Sequence, residues 1–229
     1  MVRFLIIEDV PETREQLEKL FANDFPGAVI DTAETVTEAL RLIEQSAAQK
    51  RPYDIAVQDF KLPLEKGYHP EVDVSTCDLI RKATPTTFIV HITAWPNDPA
   101  VLMHLTEAHL DLGPPSACLI SKLDADWAEK LMLKAKAYLY GTRIEQQMAR
   151  LFGPTYAREV PKKWPMQLVP VSKGSVTHEL AALQRDIEAH WHDLDARLQQ
   201  RVSEFFYVNT KVTPVRVSVL HSVDQKEEK

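Results

Sequence analysis

The fold of this chain is decided by the stretch YDIAVQDFKLP, residues 53–63. Its apolar residues 55–57 are typical of a strand that is covered on both faces of a sheet. Regular structure ends soon afterwards, because Pro63 has no N–H to donate. Open α/β sheets place their ligand sites at the carboxyl ends of central strands. The stretch therefore predicts a buried central strand that delivers Asp59 to a functional edge.

Three further apolar runs also end in polar side chains. Residues 2–7 run into Glu8 and Asp9, residues 88–92 into Thr93, and residues 117–120 into Ser121 and Lys122. In a parallel sheet these strand ends meet at one edge, so three carboxylates, a hydroxyl and an ammonium converge there. Clustered carboxylates repel one another unless a cation neutralises them, and an all-oxygen site that keeps several waters suits Mg²⁺. We therefore predict a magnesium site at this edge.

Helical patterns alternate with these strands. A helix opens at Pro11, a short strand follows at residues 29–30, and Thr35 or Thr37 caps a second helix before the central strand. The order strand, helix, strand, helix, strand implies a parallel sheet with right-handed crossovers. We predict an α/β fold with a doubly wound five-stranded parallel sheet and a mainly helical C-terminal extension.

The ordered set of an acid pair, an aspartate, a threonine and a lysine at four strand ends resembles the receiver domain of two-component response regulators. The matching residues are Glu8, Asp9, Asp59 with Leu62-Pro63 after it, Thr93 followed by Ala94, and Lys122. The resemblance covers about residues 1–140, and the ordered set is specific, whereas any one element alone is weak evidence. It implies the flavodoxin-like fold of receivers.

The resemblance also implies a role for each of these residues. Asp59 would accept a phosphoryl group from a histidine kinase or a phosphotransfer protein. The Mg²⁺ ligands would be Glu8, Asp9, Asp59 and the backbone carbonyl of Lys61, while Thr93 and Lys122 would hold the phosphoryl oxygens. The chemistry agrees, because a carboxylate that attacks a phosphoryl group needs positioning and neutralisation of charge by a metal and a fixed cation. Enzymatic activity would at most be self-phosphorylation from a phosphodonor and autodephosphorylation.

The chain departs from the receiver pattern in three places. Residues 64–76 form an insertion where a short loop is expected, and it is either a partner-specific docking loop or a tolerated surface insertion. The fifth strand carries Leu119 where a switch aromatic is usual, and Leu123 replaces the usual proline after Lys122. We expect the phosphoryl chemistry to be kept better than the standard conformational switch.

Composition and charge exclude several classes of protein. The 229 residues carry a formal net charge of −6, and their apolar runs fall far short of the ~18 residues of a membrane span. Acids interrupt the apolar N-terminal run at once, so we expect no signal peptide and a cytoplasmic protein.

The widely separated Cys77 and Cys118 favour reduced thiols over a disulfide or a zinc site. Residues 1–140 hold 14 basic against 22 acidic side chains, and residues 141–229 hold 13 against 11.

The second half divides into a connecting part and a last region. Residues 141–174 are expected to form a helix and then a proline-rich linker. Residues 175–229 should form one long amphipathic helix, from Ser175 to about Phe206, and a short strand at residues 215–219. The helix carries an apolar stripe at steps of three and four: Val176, Leu180, Leu183, Ile187, Trp191, Leu194, Leu198, Val202 and Phe205. Since such a stripe cannot stay in water, we expect a homodimer.

Charge argues against one output of this region, a DNA-binding transcriptional regulator. Such a regulator would need basic residues gathered on one helix. Arg185, Arg197 and Arg201 instead alternate with acids. Those acids are Asp186, Glu188, Asp193 and Asp195. We therefore do not expect binding to nucleic acid.

A second alternative is a receiver-like interaction module that is not phosphorylated. A Mg²⁺ titration with an acyl-phosphate analogue would separate this module from a working receiver. The stretch around His178 weakly resembles the short box that surrounds the phosphorylated histidine of sensor kinases, but the chain has no ATP-binding motif.

Overall fold

The computed structural model describes residues 1–73, 75–99, 118–152 and 176–219. The chain divides into two compact units, Met1–Met132 and Leu133–Lys229. We call them unit 1 and unit 2. The boundary falls inside a helix, a few residues before position 140, where we expected the first domain to end.

Unit 1 is built on a parallel sheet of five strands. They are β1 Arg3–Ile7, β2 Val29–Ala33, β3 Ile55–Asp59, β6 Phe88–Thr93 and β7 Cys118–Ser121. Their order in the sheet is β2-β1-β3-β6-β7. Strands β4, Lys61–Leu62, and β5, Glu71–Val72, pair with each other outside this sheet. Strands β6 and β7 are therefore the fourth and fifth of the sheet, and their order is the flavodoxin-like 2-1-3-4-5. The predicted fold class is confirmed.

The central strand is β3. It pairs in parallel with β1 on one side, where Ile55 lies opposite Phe4, and with β6 on the other, where Ile55 lies opposite Phe88. Every residue of β3 is buried. The strand therefore brings Asp59, its last residue, to the carboxyl edge of the sheet.

Three helices of unit 1 are α1 Pro11–Asp24, α2 Val36–Ala48 and α3 Ser75–Ala83. Proline suits the start of α1, because the first N–H groups of a helix have no partner within it. Of the two threonines proposed as the cap of α2, Thr35 is the one, since its hydroxyl accepts a hydrogen bond from the Glu38 backbone N–H at 3.2 Å. Residues 100–117, between β6 and β7, lie outside the described residues.

Apolar side chains from both faces of the sheet are buried against helices. Phe4 of β1 meets Phe21 and Phe25, with ring centroids 4.6 and 5.0 Å away. Leu5 and Ala56 belong to a second cluster, which includes buried residues of α2 and α3. Alternate residues of one strand thus serve two layers, as expected for a doubly wound fold.

The next described helix, α4, spans Trp127–Phe152. The helix predicted at the start of residues 141–174 is the second half of α4, and Gly141 lies inside it. A Cβ atom built at Gly141 would lie 3.2 Å from Leu198 Cδ2. Glycine therefore permits a close approach at this point, which offsets its poor helix propensity.

The last region is not one helix. Helix α5 Val176–His190 ends in a 3₁₀ turn at Trp191–Asp193, and α6 Ala196–Phe205 follows. The prediction of a continuous helix from Ser175 to Phe206 is wrong, because Asp195 turns its carboxylate back to accept the Leu198 N–H at 2.8 Å. Aspartate competes in this way with helical hydrogen bonding and starts a new helix.

A hairpin follows α6 directly. Strand β8, Phe206–Asn209, pairs in antiparallel fashion with β9, Arg216–Val219. The sequence predicted β9 within residues 215–219, but it assigned the start of β8 to the end of the helix.

The apolar stripe of the last region is covered within unit 2. Its side chains form a cluster with residues of α4 and of the hairpin. The cluster includes Ile144, Met148, Ala149, Leu183, Ile187, Trp191, Leu194, Leu198, Val202, Phe206, Val215 and Val217. The premise that the stripe is left in water, which led us to expect a homodimer, is therefore wrong.

The proline-rich linker expected within residues 141–174 falls on residues 153–174, which lie outside the described ranges. Among the helices that the structure describes, none is long and apolar enough to span a membrane.

Candidate functional site

Three carboxylates meet at the carboxyl edge of the sheet. Glu8 and Asp9 follow β1, and Asp59 ends β3. Each offers one oxygen, and the three oxygens lie within 4.8 Å of one another. All three donors are carboxylate oxygens, which are the hard ligands that Mg²⁺ takes in proteins. The donor set fits the predicted metal.

A single ammonium lies between two of these acids. Lys122 Nζ is 2.5 Å from Asp59 Oδ2 and 3.0 Å from Glu8 Oε2. The backbone N–H of Lys122 donates to the carbonyl of Thr93 at 2.7 Å, which holds the loop after β7 against the end of β6. The predicted residues at four strand ends are thus brought together.

Burial and mutual repulsion disturb the titration of this cluster. Glu8 is fully buried, and its burial and the charge of Asp59 raise the pKa of Glu8 to about 7. Burial also raises the pKa of Asp59. Burial alone would lower the pKa of Lys122, but the charges of Asp59 and Glu8 outweigh it and raise that pKa. The edge holds more negative charge than one ammonium neutralises, so it favours a further cation.

Thr93 is buried at the end of β6. Its Oγ1 accepts a hydrogen bond from the Trp95 backbone N–H at 2.9 Å. Because the hydroxyl oxygen acts as the acceptor, the hydroxyl proton is available for another partner. This arrangement suits a donor to an anionic oxygen beside Asp59.

Lys61 lies two residues after Asp59, in strand β4, Lys61–Leu62. Its backbone N–H approaches Asp59 Oδ1 at 3.4 Å. Its ammonium pairs with Asp98 at 3.2 Å and lies 4.7 Å from the centroid of the Trp95 ring. The side chain thus joins the loop after β3 to the loop after β6. The role of its backbone carbonyl as a metal ligand stays a prediction.

The insertion at residues 64–76 includes regular structure in the part that the structure describes. It contains β5, Glu71–Val72, which pairs in antiparallel fashion with β4, and α3 already begins at Ser75. Residues 61–72 thus form a ribbon of two short strands joined by a loop, residues 63–70.

The ribbon is anchored on the start of α2. The carbonyls of Pro63 and Leu64 accept the N–H groups of Val36 and Thr37 at 3.0 and 3.1 Å. Thr37 Oγ1 also donates to the Leu64 carbonyl at 2.8 Å. The first N–H groups of a helix have no partners within it, so the ribbon satisfies groups that would otherwise need capping. Its suggested role in docking stays a prediction.

The sequence did not reveal a buried polar contact of Gln58, the residue before Asp59. Gln58 Nε2 donates to Asp73 Oδ2 at 3.1 Å, and Asp73 Oδ1 accepts the Ser75 N–H at 2.9 Å. The spacing of Asp73 two residues before Ser75 is a capping signal that could have revealed it. The contact ties β3 to the start of α3.

His178, the other candidate from the sequence, lies in α5 with an exposed side chain. The structure describes it in unit 2, whereas the carboxylate cluster lies in unit 1. Its suggested phosphotransfer role stays a prediction.

Comparisons with known proteins address the fold. No family model and no curated protein match the chain. The matching solved structures are response regulator receiver domains that cover about 60% of the chain, its N-terminal part.

Three of these structures come from different organisms. A receiver domain protein from Clostridium thermocellum is 19% identical, with 63% of this chain and 98% of that chain covered and a TM-score of 0.46. A CheY-like receiver domain protein from Methanospirillum hungatei is 22% identical, with 59% and 91% covered and a TM-score of 0.42. The receiver domain of a putative Luxo repressor protein from Vibrio parahaemolyticus is 21% identical, with 63% and 94% covered and a TM-score of 0.44. These TM-scores are below 0.5 and the identities are below 25%, so the likeness concerns the fold alone.

Proposed function

We propose that this chain is a response regulator of two-component signalling, phosphorylated on Asp59 in a reaction that requires Mg²⁺. The observation that carries the proposal is the convergence at one edge of three carboxylates and the Lys122 ammonium, with the buried Thr93 hydroxyl at the neighbouring strand end. The donor is the phosphohistidine of a histidine kinase or of a phosphotransfer protein.

The reaction is a transfer between a nitrogen and an oxygen. An oxygen of Asp59 forms a bond to phosphorus, and the bond from phosphorus to the donor imidazole nitrogen breaks. The imidazole leaves with the electron pair of that bond and takes up a proton. Asp59 is then an acyl phosphate, which water can hydrolyse to restore the carboxylate. Without a partner protein, the activity proposed for the chain is at most self-phosphorylation from a small phosphodonor and this hydrolysis.

Glu8, Asp9 and Asp59, with the carbonyl of Lys61, would hold Mg²⁺. When bound, the ion supplies positive charge that offsets repulsion between the attacking carboxylate and the phosphoryl oxygens. Lys122 already touches the carboxylate that gains the phosphoryl group, so the same ammonium can move onto a phosphoryl oxygen. The Thr93 hydroxyl donates to a second one. These residues position and neutralise, which is most of what phosphoryl transfer needs.

The expected cytoplasmic location is kept in this proposal, because kinases of this kind take their phosphoryl group from ATP. The homodimer is left out, because the stripe that suggested it is buried within unit 2. An interaction module that is never phosphorylated would retain the fold without the chemistry.

A titration with Mg²⁺ and beryllofluoride, an acyl-phosphate analogue, separates these two functions. The Trp95 side chain is half exposed, and the backbone N–H of Trp95 donates to the Thr93 hydroxyl. The fluorescence of Trp95 should therefore report on the site. A working receiver should show a saturable change that needs both Mg²⁺ and beryllofluoride and that is absent in Asp59→Asn. A Trp95→Phe variant identifies the reporting residue. If the wild-type protein gives no response by fluorescence or by calorimetry, the phosphorylated function is wrong.

A further inference from the structure

An arginine of α1 holds the backbone of the acid pair. Arg14 Nη1 donates to the carbonyl oxygen of Glu8 at 2.6 Å. The same nitrogen approaches the carbonyl oxygen of Asp9 at 3.4 Å. Both carbonyls belong to residues that the proposed function assigns to Mg²⁺. The arginine therefore contacts the backbone of the metal ligands, and their carboxylate oxygens stay available to the ion.

The geometry of α1 explains how Arg14 reaches this backbone. Helix α1 begins at Pro11, directly after the acid pair and Val10, and the Arg14 N–H donates to the Val10 carbonyl at 3.0 Å. Side chains of a helix point back toward its N-terminus, so the guanidinium lies over the residues that precede the helix. The helix dipole opposes a cation near this end. The contacts with the two carbonyls offset that cost.

The peptide between Asp9 and Val10 connects this contact to a metal ligand. In a planar trans peptide the C=O and N–H groups point in opposite directions. The Asp9 carbonyl faces Arg14, and the Val10 N–H donates to Glu8 Oε1 at 3.3 Å. An interaction that fixes the carbonyl therefore also fixes the direction of the N–H. Through that N–H, Arg14 orients the Glu8 carboxylate.

The Glu8 carboxylate is restrained at both oxygens. Lys122 Nζ lies 3.0 Å from Glu8 Oε2 and 3.3 Å from Glu8 Oε1, where the Val10 N–H is the second donor. The side chain is also fully buried. Groups that orient metal ligands in this way raise the affinity of a site, because the ligands are already in place when the ion binds.

Arg14 is itself oriented by an acid that follows β2. Its Nη2 lies 3.5 Å from Glu34 Oε2, while Lys66 of the ribbon pairs with Glu34 Oε1 at 2.9 Å. The Glu34 backbone N–H donates to the Glu38 carboxylate at 3.0 Å, which fixes Glu34 at the start of α2. The planar fork of an arginine can direct separate nitrogens to two partners. One side chain thus joins the turn after β1 to the turn after β2.

We propose that Arg14 is a positioning residue for the metal site, and that it fixes the turn at residues 8–10 so that Glu8 and Asp9 face Mg²⁺ together. The inference rests on the function proposed above, because Glu8 and Asp9 are metal ligands only within that proposal. Arg14 acts through the backbone of the two ligands. Its loss should therefore weaken metal binding while the carboxylates themselves remain.

Calorimetric titration of the full chain with Mg²⁺ alone tests this role. Arg14→Ala should bind Mg²⁺ about tenfold more weakly, which is the lower end of the loss for groups that orient metal ligands. Lys66→Ala is the matched control, because it also removes one positive charge from Glu34 and its side chain is largely exposed. It should bind Mg²⁺ like the wild-type chain. Equal losses in the two variants would show that charge is responsible and would overturn the positioning role.

A second control and a second measurement separate positioning from a loss of stability. Ile43→Val shortens a fully buried side chain of α2, so it should destabilise unit 1 and keep the Mg²⁺ affinity. Hydrogen exchange of the Val10 amide, followed by NMR without metal, should be faster in Arg14→Ala than in Ile43→Val or the wild type.

Two outcomes distinguish this inference from the function on which it rests. If Arg14→Ala binds Mg²⁺ as tightly as the wild-type chain, or if its Val10 amide exchanges no faster than in Ile43→Val, the positioning role is wrong and the proposed function stands. A wild-type chain that binds no Mg²⁺ would overturn both.

Discussion

Lys122 is one cation between two buried acids. Its ammonium contacts Asp59 and Glu8 while Asp9 completes the acidic group. In the absence of metal it is the charge that offsets part of the repulsion, and in the proposed transfer it would bind a phosphoryl oxygen. Metal binding and the response to phosphorylation therefore depend on different residues, and single substitutions should separate them.

Replacement of Lys122 by alanine should leave Mg²⁺ binding intact, because the metal is held by carboxylates. The response to beryllofluoride should weaken about tenfold or more, since a charge-assisted hydrogen bond contributes about 1.5–3 kcal/mol. Calorimetry with Mg²⁺ alone and then with beryllofluoride measures both quantities. Lys130→Ala, which removes an exposed lysine of α4, is the control. Loss of Mg²⁺ affinity in a folded Lys122→Ala protein would contradict these roles.

The stability of unit 1 without metal should fall as the pH rises from about 5 to about 8. The pKa of Glu8 is raised from 4.5 to about 7 in the folded state. Between these values the native state binds more protons than the unfolded state, so the free energy of unfolding decreases with pH. Lys122 has a raised pKa and stays charged throughout this range.

Thermal unfolding in EDTA tests this dependence. The Glu8→Gln variant should become more stable relative to the wild type as the pH rises, because it cannot ionise at that position. Added Mg²⁺ should restore stability to the wild type most strongly near pH 8. A difference between the two proteins that shrinks with rising pH would show that Glu8 does not carry the raised pKa.

Among the elements, those with a strong local signal were predicted and those that depend on tertiary contacts were not. The strand that ends at Asp59 contains the apolar run 55–57 and is followed four residues later by Pro63, so its sequence alone identifies it. The ribbon at residues 61–72 has strands of two residues, too short for any periodicity, and it is held by contacts with α2. The break at residues 191–195 was hidden for a different reason. Trp191 and Leu194 still face the core, so the helical spacing continues through the turn.

The capping aspartate that starts α6 gives a prediction at the same scale. Asp195→Ala should lower the free energy of unfolding of unit 2 by about 1 kcal/mol, because the Leu198 N–H loses its acceptor. Asp195→Ser should retain most of the stability, since serine is also a good cap. Chemical denaturation followed by the fluorescence of Trp191, which is buried in unit 2, measures the change. Equal stability of the alanine variant and the wild type would argue that the two helices do not separate at this residue.

Among the described residues, each of the two units has its own cluster of buried apolar side chains. The carboxylate edge belongs to unit 1, while the apolar stripe, α6 and the hairpin belong to unit 2. The convergence of these residues could be predicted from the sequence, because each lies at or just after the carboxyl end of a strand. The carboxyl ends of parallel strands meet at one edge of a sheet. The side-chain contacts of the second half could not, because partners such as Gln147 and Asp186 are far apart in the sequence.

Separate cores predict separate consequences of damage. Leu183 is fully buried in unit 2, and Leu183→Ala should destabilise that unit by about 2–5 kcal/mol. Phosphorylation of Asp59 by acetyl phosphate should continue at the wild-type extent. Exposed Leu133→Ala is the matched control and should change neither quantity by much. A loss of phosphorylation in Leu183→Ala would show that the site depends on the packing of unit 2.

The most direct test of the proposed function is the intact mass of the protein after incubation with acetyl phosphate and Mg²⁺. The wild-type chain should gain one phosphoryl group, hydroxylamine should remove it as expected for an acyl phosphate, and EDTA should prevent the gain. Asp59→Asn should show no gain, while Asp54→Asn, which changes an aspartate before β3, should behave like the wild type. A full adduct on the Asp59→Asn protein would contradict the assignment of Asp59 as the acceptor.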